Sequence, residues 1–121
     1  MYVDYFKKRN KYNATSTEYG GEVYHSKAEA GYARDLDLRK NATNPEERVK
    51  SWDRQKRISL KAYGITICYY YVDFVVYYES GVKEYVEGKG FRTTTFNNKW
   101  KHFEAQMAEE EPDAKLTIVR V

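Results

Sequence analysis

The stretch 65-ITICYYYVDFVVYYESGVKEYVEGKG-90 decides the fold. Its first part, Ile65 to Tyr78, is rich in β-branched and aromatic residues, which is typical of a long strand. Glu79-Ser80-Gly81 reads as a turn, and Val82 to Gly88 alternates enough to be a returning strand. The segment is therefore predicted to form an antiparallel hairpin.

The length of the turn predicts which residues face each other in this hairpin. A three-residue loop usually has a left-handed residue at its third position, and Gly81 suits that place. The resulting register sets Asp73 directly opposite Glu87, with the carboxylates about 5 Å apart. Lys89 lies two residues beyond Glu87 and hence on the same face. A two-residue loop would instead put the two acids on opposite faces.

Two like charges that face each other across a hairpin destabilise it unless a cation lies between them. Lys89 is one candidate, and Mg²⁺ is a better one, because it is held by one or two carboxylates with phosphate and water. The ion would bind a scissile phosphate and activate a water, which Lys89 would orient or deprotonate. Alternatively, Asp73 is a hydrogen-bonding group at a strand end, and Glu87 and Lys89 form a solvated ion pair.

A helix is predicted ahead of the hairpin, from Ser26 to about Lys40. Ser26-Lys27-Ala28-Glu29 forms a capping box, and side chains at helical spacing follow it. Glu29 ends an apolar stripe where an apolar residue is expected. It is therefore predicted to point at the sheet as an extra metal ligand, or else simply to close the capping box.

The remaining elements complete an α/β pattern. Ile58-Ser59-Leu60 is predicted to be a short strand, 95–110 a second helix that Pro112 stops, and Leu116 to Val119 a final strand. The order αβββαβ predicts an α/β three-layer sandwich with a mixed central sheet of about four strands.

Composition favours one domain, 1–121, in which residues 1–25 are a basic, aromatic arm and a turn. The 121 residues carry a net charge of +3, and 13 Tyr residues can supply a core. Cys68 is alone, which excludes a disulfide scaffold. With neither a membrane span nor a secretory signal in the sequence, we expect an intracellular domain that is not bound to a membrane.

Two groups of cations lie among aromatic residues, one within the arm and one at 48–61 around Trp52. This interleaving suits contact with phosphate together with stacking on bases or sugars. A solubilising surface is the alternative. The cations of the arm that we predict to contact DNA are Lys7, Lys8, Arg9 and Lys11.

The hairpin acids resemble a known signature. Asp73, a gap of thirteen residues and then Glu87-Gly88-Lys89 resemble the PD-(D/E)XK nuclease motif, with Glu29 at the place of its additional acidic residue and Val72 where the motif has Pro. More closely, the chain resembles a small family of phage and prophage proteins described as endonucleases similar to Holliday-junction resolvases. The segments that carry this second resemblance are Tyr12-Asn13, 26–30, Gln55, 71–74 and 86–90.

The resemblance implies a restriction-endonuclease-like fold and hydrolysis of phosphodiester bonds in branched or structured DNA, with Mg²⁺ or Mn²⁺. Asp73 and Glu87 would hold the metal, Lys89 would serve the water and Glu29 would help. It also implies a homodimer in the cytoplasm of a bacterial host. Three further cations are expected to contact the DNA backbone, namely Lys27 at the helix N-terminus, Arg92 and Lys99. Alternatively, Lys27 is simply exposed to solvent.

Two other functions stay open from the sequence. A non-catalytic DNA-binding or assembly module on a nuclease-like fold would use the basic groups without the chemistry. A phage protein that inhibits a host protein would use the acidic end of the second helix, Glu109 to Asp113.

Overall fold

A computed structural model describes residues 16–89 and 92–120. The chain divides into two compact units, one up to Leu38 and one from Arg39 onward. Within the described residues, no helix has the length and apolar character of a membrane span. The arm cations lie outside the described residues, so their predicted DNA contacts stay predictions: Lys7, Lys8, Arg9 and Lys11.

The N-terminal unit contains a short hairpin and a helix. β1 (Thr17–Tyr19) pairs antiparallel with β2 (Glu22–Tyr24) around a turn at Gly20-Gly21, and α1 spans Lys27–Leu38. The Ser26 hydroxyl accepts a hydrogen bond from the Glu29 amide at 3.2 Å, as a capping box requires. The predicted helix is confirmed and ends slightly earlier than expected.

The C-terminal unit is built on a four-stranded mixed sheet in the order β3-β4-β5-β6. Neighbouring strands are antiparallel except for β5 and β6, which are parallel because α2 connects them. The order of α1, β3, β4, β5, α2 and β6 confirms the predicted α/β class and is compatible with a three-layer sandwich. The bounds are β3 (Val49–Ala62), β4 (Ile65–Tyr78), β5 (Lys83–Lys89), α2 (Thr94–Glu110) and β6 (Lys115–Arg120).

The β4–β5 hairpin has the predicted register. Phe74 pairs with Val86, and the pairing continues in step to the turn. Gly81 has a φ of 97°, a conformation that strains other residues. Its amide donates to the Tyr78 carbonyl at 3.0 Å, which closes the three-residue loop.

The short strand predicted at 58–60 is wrong in length, because β3 extends over 14 residues from Val49 to Ala62. Among the strands that the structure describes, β3 pairs only with β4 and so forms an edge of the sheet, and many of its side chains are exposed. Charged side chains suit such an edge, since they hinder pairing with another chain. These charged side chains also interrupt the pattern of apolar residues from which a strand is recognised in the sequence. Those that are exposed include Lys50, Lys56, Arg57 and Lys61.

Helix α2 packs its apolar side against one face of this sheet. The Thr93 hydroxyl caps the helix by accepting a hydrogen bond from the Phe96 amide at 3.0 Å. The apolar side chains spaced along one side of the helix are all buried, namely Phe96, Trp100, Phe103 and Met107. The core cluster consists of Leu60, Tyr70, Val72, Val75, Tyr85, Phe96, Trp100, Phe103 and Met107.

The alternation of side chains along β4 is interrupted. Val72 and Val75 both belong to the core cluster, although residues three apart point to opposite faces of a regular strand. Gln55, the β3 residue across from Asp73, has a φ of 52°, which is uncommon for a residue other than glycine. The sheet is therefore distorted at the position of the first predicted carboxylate.

Substitution of Phe103 tests whether these side chains form the core. It is fully buried, and its ring contacts those of Tyr70, Tyr85 and Trp100. We expect F103A to lower the free energy of unfolding by about 3–5 kcal/mol, measured by urea denaturation. The control is Tyr63→Ala in the exposed β3–β4 turn, which should change it by less than about 0.5 kcal/mol. Similar values for both variants would contradict the core assignment.

Candidate active site

The two predicted acids meet across the β4–β5 hairpin. Asp73 and Glu87 are 9% and 5% exposed and lie one position beyond the Phe74–Val86 pair. Asp73 Oδ2 accepts a hydrogen bond from the Gly88 amide at 2.9 Å, and the Asp73 backbone hydrogen-bonds the Glu87 carboxylate. The structure thus brings these side chains together as the register predicted.

Uncharged donors orient both carboxylates. Gln55 Nε2 donates to Asp73 Oδ1 at 3.2 Å, and the Tyr70 hydroxyl donates to Glu87 Oε1. Within the described residues, no buried side-chain nitrogen or oxygen lacks a hydrogen-bond partner. The pair is therefore held in place before any ligand arrives.

Lys89 lies beside this pair, as predicted. Its Nζ is 3.9 Å from Glu87 Oε2, and its side chain is 31% exposed. The ammonium also lies 4.7 Å from the centroid of the Phe96 ring, in the first turn of α2. The lysine thus places a positive charge between the buried acids and solvent.

The environment changes the acidity of two of these groups. The pKa of Glu87 is raised from 4.5 to about 7: burial is the largest cause and the Asp73 carboxylate adds to it, against the Tyr70 hydrogen bond and the Lys89 charge. Burial and the hydrogen bond to Glu87 raise the pKa of Tyr70 well above its usual value. Tyr70 therefore remains a hydrogen-bond donor at neutral pH.

The chemistry of this donor set fits a hard divalent cation. Mg²⁺ is typically bound through one or two carboxylates, while water and substrate phosphate supply the other oxygens. Asp73 and Glu87 are adjacent oxygen donors of this kind. In residues 16–89 and 92–120, no group of three or more His, Cys, Asp and Glu side chains forms a metal-ligand set.

Two of the predicted site residues, Glu29 and Lys27, belong to the N-terminal unit. Glu29 is partly buried on α1 and closes the helix start through its backbone amide. Lys27 is the first residue of α1 and is exposed. The expectations that Glu29 is an extra metal ligand and that Lys27 contacts DNA stay predictions.

Two further cations predicted to contact DNA bond to the protein itself. Lys99 Nζ donates to the Tyr69 carbonyl at 3.1 Å. Arg92 Nε donates to Asn97 Oδ1 at 3.0 Å, next to the first turn of α2. These bonds position both side chains, and their contact with DNA stays a prediction.

Reasoning from sequence missed Tyr70, which the structure places on Glu87. In a strand with three consecutive tyrosines, alternation turns the middle one toward the core. A buried tyrosine hydroxyl needs a hydrogen-bond partner, and a buried acid on the next strand can supply one. These two observations together would have predicted the contact between Tyr70 and Glu87.

The raised pKa of Glu87 predicts how stability depends on pH in the absence of divalent ions. Since the folded-state pKa lies above the unfolded value, Glu87 favours folding below about pH 4.5, and this contribution is lost as the pH rises through about 7. Glu87→Gln resembles the protonated acid at every pH and can still accept the Tyr70 hydrogen bond. We expect E87Q and wild type to be similarly stable near pH 4.5.

At about pH 8, E87Q should be the more stable by on the order of 3 kcal/mol, measured by urea denaturation in EDTA. A difference between E87Q and wild type that stays constant from pH 4.5 to 8 would contradict the environment assigned to Glu87.

Comparison with known protein families gives a match over nearly the whole chain. A family model described as "Protein of unknown function (DUF1064)" matches residues 9–120. No curated protein and no solved structure matches the chain. The matched range includes Asp73, Glu87, Lys89 and the two side chains that orient the acids. Because that range covers nearly the whole chain, the protein belongs to the DUF1064 family.

Proposed function

We propose that this protein is a divalent-metal-dependent DNA endonuclease of the PD-(D/E)XK type. The observation that carries the proposal is the convergence of Asp73, Glu87 and Lys89 at the point where the side-chain alternation of β4 is interrupted. Acids held side by side with an amine next to them suit the binding and hydrolysis of a phosphodiester. The spacing of the motif and the order of the elements support the same reading.

Each of these side chains would have a separate role in catalysis. Asp73 and Glu87 would hold Mg²⁺ or Mn²⁺, which when bound lowers the pKa of water and polarises phosphate. Gln55 would keep Asp73 in its orientation, and Tyr70 would do the same for Glu87. Lys89 would hold or take a proton of the attacking water, or stabilise negative charge on the phosphate.

The proposed substrate is branched or structured DNA. Its basis is the resemblance to Holliday-junction resolvases, and the exposed cations of β3 add electrostatic support. We further propose, by the same resemblance, that the enzyme acts as a homodimer in a bacterial cytoplasm. Two copies would place two active sites on two strands.

Cleavage of a four-way junction, a flap and a duplex in Mg²⁺ tests the proposal. We expect Asp73→Asn, Glu87→Gln and Lys89→Ala each to lower the rate by at least about 100-fold, since each removes a metal-binding or proton-handling group. Removing the metal with EDTA should abolish cleavage by wild type. Product formation is followed on labelled DNA in gels.

Glu84 offers a matched control. It is a buried acid on β5, the strand that carries Glu87, and it is 7% exposed. Its carboxylate accepts hydrogen bonds from the Tyr78 and Thr117 hydroxyls at 2.6 Å each. Glu84→Gln should cleave at close to the wild-type rate at temperatures where both are folded. If D73N or E87Q cleaves as well as E84Q, the assignment is wrong. Binding of DNA without product in any metal would favour a non-catalytic module.

A further inference from the structure

One face of the β3–β4 hairpin presents aromatic rings to solvent. Tyr69 and Tyr71 are 44% and 53% exposed, and two residues of a strand that are two apart share a face. Arg57 pairs with Tyr71 across the strands, and its guanidinium lies 4.4 Å from the centroid of the Tyr69 ring. We call these three side chains the tyrosine platform.

The strand that borders this platform is strongly basic. β3 carries five cations and one acid within its 14 residues, and the acid, Asp53, accepts a hydrogen bond from the Tyr77 hydroxyl at 3.3 Å. Protein–protein interfaces are enriched in tyrosine and arginine but depleted of lysine, and three of the five cations are lysines. Of these cations, Arg57 lies on the same face as the two tyrosines, so that face combines a positive charge with exposed rings and favours an anionic partner that also carries flat rings. The cations are Lys50, Arg54, Lys56, Arg57 and Lys61.

We propose that the tyrosine platform binds unpaired nucleotides of DNA, with bases stacked on Tyr69 and Tyr71 and a phosphate against Arg57. The choice of DNA as partner rests on the proposed function. Stacking on aromatic side chains tolerates any base sequence, since every base has a π face. The two tyrosines are separated by about 7 Å along the strand, so each ring has room for a base of its own.

This proposal predicts a preference among forms of DNA. The faces of paired bases are covered within a duplex, whereas unpaired ends, flaps and open junction centres expose them. The platform should therefore add affinity for DNA with unpaired bases and little for a continuous duplex. The cations of β3 should add affinity for both forms, in a way that falls with salt.

Fluorescence anisotropy with labelled single-stranded DNA and a duplex of the same sequence tests the platform. All proteins carry E87Q, so that no cleavage interferes. We expect Tyr69→Ala with Tyr71→Ala to raise the Kd for the single strand by roughly 25-fold or more, given about fivefold or more for each stacked base. The Kd for the duplex should change far less.

Two controls separate stacking from other effects. Tyr69→Phe with Tyr71→Phe keeps both rings and should bind the single strand like the E87Q parent. Tyr63→Ala removes a fully exposed tyrosine from the β3–β4 turn and should also leave the Kd unchanged. The melting temperature of each variant verifies that it is folded.

The outcomes distinguish the platform from the proposed function. The platform proposal alone is overturned if loss of both tyrosines leaves the Kd for the single strand unchanged. It is also overturned if that loss raises the Kd for the duplex by the same factor. A parent protein that binds no form of DNA overturns the proposed function as well. If the double alanine variant converts a dimer to a monomer without changing the Kd, the face joins two copies of the chain and the platform is again overturned.

Discussion

Two carboxylates buried side by side are unfavourable, because each has lost water and each disfavours the negative charge of the other. In this protein Asp73 and Glu87 nevertheless occupy adjacent strands, where the Asp73 carboxylate accepts a hydrogen bond from the Gly88 amide and the Asp73 backbone hydrogen-bonds the Glu87 carboxylate. Gln55 and Tyr70 orient them, and Lys89 stands next to Glu87. A fold that only needed a stable hairpin would gain nothing from this arrangement, whereas one that binds a cation would.

Strand β5 also carries a buried acid with a structural role, Glu84. Glu84 and Glu87 lie three positions apart on β5, so they face opposite sides of the sheet. Glu84 is satisfied by two hydroxyls, those of Tyr78 and Thr117. Glu87 instead faces a second acid and an amine, with a pKa of about 7. The contrast separates burial, which both acids share, from the convergence of charged groups, which distinguishes the candidate site.

Much of this site could be predicted from local patterns. The β-branched and aromatic run marks β4, the turn ending in Gly81 sets the register, and the register sets Asp73 against Glu87. These inferences succeed because hairpin geometry is determined by residues close in sequence. They also place Lys89 beside Glu87, since alternation is regular over two residues.

Other features depend on contacts between distant residues and were missed. The full length of β3 was hidden because an edge strand tolerates cations that would be excluded from a central strand. The interrupted alternation at Asp73 coincides with the left-handed backbone of Gln55 on the neighbouring strand, and no local pattern in the sequence predicts such a distortion. The Tyr70–Glu87 bond also needed the structure, because it joins side chains on two strands.

The proposed function requires Asp73 and Glu87 to bind a divalent cation together. The most direct measurement is a crystal structure grown with Mn²⁺ and recorded near the manganese absorption edge. An anomalous peak within about 2.5 Å of carboxylate oxygens from both residues is the predicted result. A well-ordered structure with Mn²⁺ in excess and no peak between these two side chains would contradict it.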